Sequence, residues 1–72
     1  MQDPLRLRRK RIKAGLTQEQ LADLAGVGLA TISRAEKIGG SPLRVRNLHL
    51  IADALGCEVS DLMPVEPTEV AS

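Results

Sequence analysis

Residues 15–37 read G-L-T-Q-E-Q-L-A-D-L-A-G-V-G-L-A-T-I-S-R-A-E-K, and the order of polar, apolar and glycine positions in that stretch decides the fold. Thr17 precedes Q-E-Q-L-A-D-L-A and places Gln20 at the third helical position. A hydroxyl and an amide at that spacing satisfy each other's backbone N–H groups in a capping box, so a helix begins here. It stops at Gly26, with Leu21, Ala22 and Ala25 on its inner face. After G-V-G a second short helix runs from about Leu29 to Glu36 or Lys37. At about 100° per residue, Ile32, Ala35 and Glu36 fall on one side of it, and Ala30 and Arg34 centre the other.

Upstream, Asp3 followed by Pro4 reads as an N-cap with proline at the first helical position, opening a helix through about Ala14 with Gly15 beyond its end. Arg6, Arg9, Lys10 and Lys13 form one outward stripe on it, and Leu5, Leu7, Ile12 and Ala14 occupy the other side. Arg11 lands among the apolar residues. A buried guanidinium without a partner is costly, so a carboxylate from another helix is required, and Glu36 is the candidate. Downstream, I-G-G-S-P-L over 38–43 is a turn-rich loop. A helix from about Arg44 to Leu55 is expected to bury Val45, Leu48, Ile51, Ala52 and Leu55 and to stop at Gly56. Ser60 caps a last turn, Asp61 to Met63. The segment from Pro64 to Ser72 is short, acidic and proline-punctuated, which predicts a flexible tail after a domain spanning 1–63.

Composition narrows the function. The 72 residues are 43% hydrophobic and 26% charged, with no Phe, Tyr or Trp, so one small all-α core of Leu, Ile, Val and Ala is expected. The lack of aromatic platforms argues against RNA-recognition sheets and single-strand binding folds. One cysteine makes no internal disulfide, and one Cys with one His is too small a ligand set for structural zinc, so no metal or other cofactor is expected. No apolar run approaches a membrane span, which makes the cytoplasm the expected location. A small unstapled core favours self-association, and a homodimer is expected.

The formal charge of +1 conceals a gradient. Residues 1–13 carry +5, from six bases against Asp3, while residues 57–72 carry −4 and no base. The leading end favours phosphate as a partner.

The two helices joined by A-G-V-G, with a polar face exposed on the second, form a helix-turn-helix arrangement. From L-R-R-K-R-I-K-A-G-L-T-Q-E-Q-L-A-D-L-A through I-S-R-A-E-K and on to N-L-H-L-I-A-D-A-L-G-C-E-V-S-D-L, residues 5–63 resemble the phage repressor and Cro-like (Xre) family. That resemblance implies a five-helix repressor-like domain that lays its third helix in the major groove of double-stranded DNA. By position it implies that Leu29, Ala30, Thr31 and Arg34 face base edges. It implies that Thr17, Gln18, Ser33, Lys37, Arg44 and Arg46 hold the DNA backbone, and that Arg11 and Glu36 form a structural ion pair.

The sequence departs from the family pattern at three places. Leu29 and Ala30 lack hydrogen-bonding side chains and suit thymine methyls, which leaves Arg34 as the candidate for a bidentate guanine contact. Gly28 stands where a capping serine is usual, and the 38–43 loop reads a residue or two longer than the pattern. Cys57, Val59, Leu62 and Met63 are placed near a dimer seam, with closure of the core an equal alternative for the last three. Leu24 and Leu29 read equally as ordinary surface leucines or as partner contacts, and His49 as a surface residue.

The sequence lacks a dinucleotide fingerprint and a phosphate loop, and no nucleophile, base and orienting group occur at usable spacing. A DNA-binding regulator, expected to repress through a palindromic operator, is therefore the leading reading. The alternative is an antitoxin-like protein that binds a partner protein and autoregulates, and a third reading is the DNA-binding piece of a longer regulator.

Overall fold

Four α-helices follow one another in the chain: α1 (Pro4–Lys13), α2 (Gln18–Ala25), α3 (Leu29–Ala35) and α4 (Val45–Leu55), and a single 3-10 turn, Val59–Leu62, follows them. This is a computed structural model, and it describes residues 2–64. The tail expected at 64–72 lies, apart from Pro64, outside the described residues. Four helices and a 3-10 turn replace the five helices expected, because only four residues separate Glu58 from Met63 and they close with i→i+3 bonds.

Each start and stop has a local cause. Asp3 Oδ1 accepts hydrogen bonds from the N–H groups of Leu5 (3.0 Å) and Arg6 (3.4 Å), with Pro4 in the first turn of α1. Thr17 Oγ1 accepts from Gln20 N at 3.1 Å, and Gln20 Oε1 accepts from Thr17 N at 2.9 Å, closing the capping box of α2. At the other end of α2, Gly26 takes φ +72°, and Val27 N donates to Ala22 O at 3.0 Å. That left-handed residue reverses the chain tightly enough to lay α3 beside α2.

The core lies where α2 meets both α3 and α4. Leu7, Leu21, Ile32, Ile51 and Leu62 are fully buried, surrounded by Ala22, Ala25, Ala35, Leu48 and Ala52. The four alanines let helices only seven to eleven residues long approach closely without aromatic filler. Helix α1 packs against the 3-10 turn, and Asp3 N donates to Leu62 O at 2.7 Å.

Several burial expectations are corrected. Leu5, Ile12 and Ala14 are exposed, leaving Leu7 as the buried apolar residue of α1. The helix touches the rest of the molecule along a narrow stripe through Leu7 and Arg11, not along a broad face. Val45 is 71% exposed, because it begins α4 at the edge of the stripe set by Leu48 and Ile51, and Leu55 is half-buried. Leu62 belongs to the core of one chain, which removes it from the seam residues: a fully buried side chain offers no surface to a second copy. Among the described residues no helix is long and apolar enough to cross a membrane.

Candidate nucleic-acid interface

Helix α3 turns Ile32, Ala35 and Glu36 inward and leaves Leu29, Ala30, Ser33, Arg34 and Lys37 exposed, with Thr31 half-buried. Gly28 supplies no side-chain cap, so the first turn of α3 is unprotected. The last turn is held closely. A Cβ on Gly40 would stand 2.1 Å from Arg34 O and 2.9 Å from Lys37 O, so the loop can pass under the end of α3 only with glycine there.

Beside α3 an open cleft of about 520 Å³ is lined by Thr31 and Arg34 on one wall and by Ser41, Pro42, Leu43, Arg44, Arg46 and Asn47 on the other. Arg44 occupies the N-cap of α4, where a donor-only guanidinium cannot cap, and among the described residues its side chain makes no hydrogen bond. The N–H groups of Val45, Arg46 and Asn47 have no acceptor among the described residues, and the first intrahelical bond is Leu48 N to Arg44 O at 2.9 Å. Two arginines around three unpaired N–H groups at a helix N-terminus are a favourable setting for a phosphate.

On the other flank of α3, Arg8, Arg11, Gln18, Ser33, Glu36 and Lys37 line a shallower depression of about 270 Å³. Its floor is a polar network. Arg11 Nε donates to Glu36 Oε2 at 2.6 Å and Arg11 Nη2 to Glu36 Oε1 at 3.0 Å, a bidentate pair. Arg11 Nη1 donates to Leu16 O at 2.8 Å, and Gln18 Nε2 donates to Glu36 Oε1 at 3.1 Å. The hydrogen bond to Glu36 pushes the Arg11 guanidinium above its ordinary range, against the opposing effect of burial. Glu36 and its partner Arg11 thus join α1, the α1–α2 loop, the start of α2 and the end of α3. Gln18 spends its amide nitrogen in this network, while its backbone N–H and that of Glu19 have no partner among the described residues and lie at the mouth of α2.

The structure separates some residues that the sequence groups. Arg6, Arg9, Lys10 and Lys13 line a different depression, between α1 and the 3-10 turn, together with Asp3, Leu5 and Asp61. None of the base-facing candidates adjoins it. Arg8, which the stripe omits, joins the paired Arg11 as an α1 base in the depression that holds Ser33 and Lys37. On the helical wheel Arg8 lies on the opposite flank of Arg11 from Lys10, but the wheel alone does not say which flank faces α3. Sequence reasoning also misses Ser41, Asn47 and Gln2. The first two have no periodic signature in a loop and a helix start, and Gln2 precedes any helix.

Around the 3-10 turn, Cys57, Val59 and Met63 are half-buried against the core. Burial pushes the Cys57 thiol up, nearby Asp61 and Glu58 add to this and Lys10 opposes it. Leu24 is 63% exposed, Leu29 is exposed, and His49 is on the surface.

A helix-turn-helix family model matches residues 7–62, from α1 through the 3-10 turn. The chain belongs to the helix-turn-helix family. Within it the chain is of the phage repressor and Cro-like (Xre) type, a DNA-binding transcription regulator. Among solved structures, the restriction-modification controller protein C.AhdI from Aeromonas hydrophila is similar with a TM-score of 0.78. The two are 33% identical, over 83% of this chain and 89% of that one. No curated protein sequence matches the chain.

Proposed function

We propose that the chain is a homodimeric, sequence-specific regulator that places α3 of each copy in the major groove of a palindromic operator and represses by occupying it. The observation that carries this reading is the single cleft that holds Arg34 and Thr31 on one wall and Arg44, Arg46 and the unpaired N–H groups of α4 on the other. Base-reading and phosphate-gripping chemistry lie side by side in that cleft. Arg34 reads guanine, Leu29 and Ala30 touch thymine methyls, and Thr31 adds a hydroxyl. Lys37, Ser33, Arg44 and Arg46 hold the strands on either side. Thr17 and the N–H groups of Gln18 and Glu19 offer donors at the mouth of α2.

Cys57, Val59 and Met63 supply the half-exposed apolar patch for the second copy. The small core supports this, since association is a common source of stability for scaffolds of this size. The likeness to a restriction-modification controller protein directs the search for target DNA to the neighbourhood of restriction-modification genes. A protein partner in place of DNA would rest on the exposed Leu24, and single exposed leucines are ordinary.

Selection from random duplex DNA tests the reading. Two matched half-sites about 34 Å apart are expected. Arg34→Ala should relax the preference at one position per half-site, losing about 1–3 kcal/mol of discrimination. Failure to enrich any sequence overturns specific recognition, and an unaltered profile for the variant overturns the role of Arg34. Sedimentation of the free chain as a monomer at all concentrations overturns the dimer.

A further inference from the structure

Gln2 is a polar side chain only 3% exposed, in a segment that precedes every helix. Its Nε2 donates to Ala35 O and to Ser41 O, each at 3.3 Å, and its Oε1 accepts from Leu43 N at 2.8 Å. Two carbonyls on one side and an N–H on the other dictate a single orientation of a primary amide, and neither a carboxylate nor a hydroxyl satisfies all three. Among the described residues no other side chain hydrogen-bonds to the loop 38–43. The base of this clamp is itself fixed, because the adjacent Asp3 N donates to Leu62 O.

The three groups held by the amide matter by location. Ala35 closes α3, one residue after Arg34. Ser41 and Leu43 line the cleft, and Leu43 leads directly into Arg44. The amide therefore sets the distance between the two walls of the cleft: the end of the reading helix on one side, the start of α4 on the other.

We propose that Gln2 is a positioning residue for DNA binding, which holds residues 41–43 against the end of α3 so that Arg44 and Arg46 meet phosphates while Arg34 meets base edges. The inference rests on the reading of Arg44 and Arg46 as phosphate contacts, so its test includes them. Gln2 itself touches no nucleic acid.

The experiment measures affinity against salt for the duplex that the wild-type chain enriches from a random pool, at a temperature where circular dichroism shows every variant folded. Gln2→Ala removes the clamp. Gln2→Glu keeps its length and its acceptor for Leu43 N and turns an oxygen toward two carbonyls. Both should bind about tenfold more weakly, with the slope of log affinity against log salt reduced by about one to two, since each lost phosphate contact is worth about 0.9. The ranking of duplex sequences should stay as in wild type, because Glu36 and Gly40 still hold the end of α3 in the Gln2 variants. In an Arg44→Ala/Arg46→Ala background, Gln2→Ala should change affinity and slope less than it does in the wild-type background, because the two arginine contacts it positions are already gone and only the backbone N–H groups of α4 remain.

A purely structural role would lower the melting temperature and leave the slope alone. A wild-type slope in folded Gln2 variants, beside a reduced slope in the arginine variant, overturns the inference and spares the phosphate reading. A wild-type slope in the arginine variant overturns both. If Gln2→Ala does not fold, Gln2→Asn, one methylene shorter, carries the same test.

Discussion

The two ends of α3 are built in opposite ways. At its N-terminal end Gly28 supplies no cap, and Leu29 and Ala30 stand exposed. At its C-terminal end Glu36 accepts from Arg11 and Gln18, Ala35 O accepts from Gln2, and Gly40 passes so close to the Arg34 carbonyl that no Cβ fits between them. The fold therefore holds the helix at its far end and leaves the near end loose. On the proposed function, accuracy of Arg34, one residue from the anchored end, comes from the anchoring, and tolerance at Leu29 and Ala30 comes from its lack.

Breaking the anchored end should have the largest effect. Glu36→Ala strips the buried partner from Arg11 and leaves a charge uncompensated beneath the surface. Loss of one member of such a pair costs about 3 kcal/mol, with Arg11's partial exposure holding it at the low end of the usual range. For a domain of this size that lowers the melting temperature by on the order of 10–20 °C, checked by circular dichroism. A melting temperature within a few degrees of wild type would show that the network is ornamental.

Gly40→Ala comes next. Its methyl group collides with the backbone of Arg34 and Lys37, which cannot yield as a side chain tip can. Crowding of this kind costs about 1–3 kcal/mol, to be read from urea denaturation. The displacement is also expected to weaken Arg34's base preference at low temperature, where the variant is folded.

Gly28→Ser probes the free end of α3. The position is open: a Cβ there would meet only Thr31 Oγ1, at 3.8 Å, and the backbone already has the extended angles of an N-cap. A serine should add a few tenths of a kcal/mol by accepting a hydrogen bond from the first turn of α3, measurable only as a small shift in the urea midpoint. A larger gain would mean that the near end is strained rather than merely loose.

The same contrast explains what is legible in the sequence. Thr17, Gln20 and Gly26 announce α2 and its turn because capping chemistry is local, and the residues that decide it are within a few positions of one another. Arg11 and Glu36 can be matched across 25 residues because each sits wrongly on its own helical wheel, a charge amid apolar neighbours. Gln2 and Gly40 give no such signal: their partners are backbone groups whose positions are set only after α3 and α4 have packed. Ile12 and Val45 mislead for a related reason. Periodicity gives the direction of a buried stripe but not its width, and the width depends on how many neighbours a helix acquires. The basic stripe of α1 reads as one surface, yet the wheel cannot say which flank faces α3, and Arg8 rather than Arg9 is on that side.

Helix α3 has seven residues, two turns at most. A segment that short does not stay helical alone in water, because nucleation outweighs the few hydrogen bonds it gains. A peptide cut from 29–37 would be a coil and would read nothing. Recognition here is consequently all or none: each molecule that melts is subtracted whole from the pool able to occupy DNA, and any substitution that loosens the core acts on gene control as a change in dose.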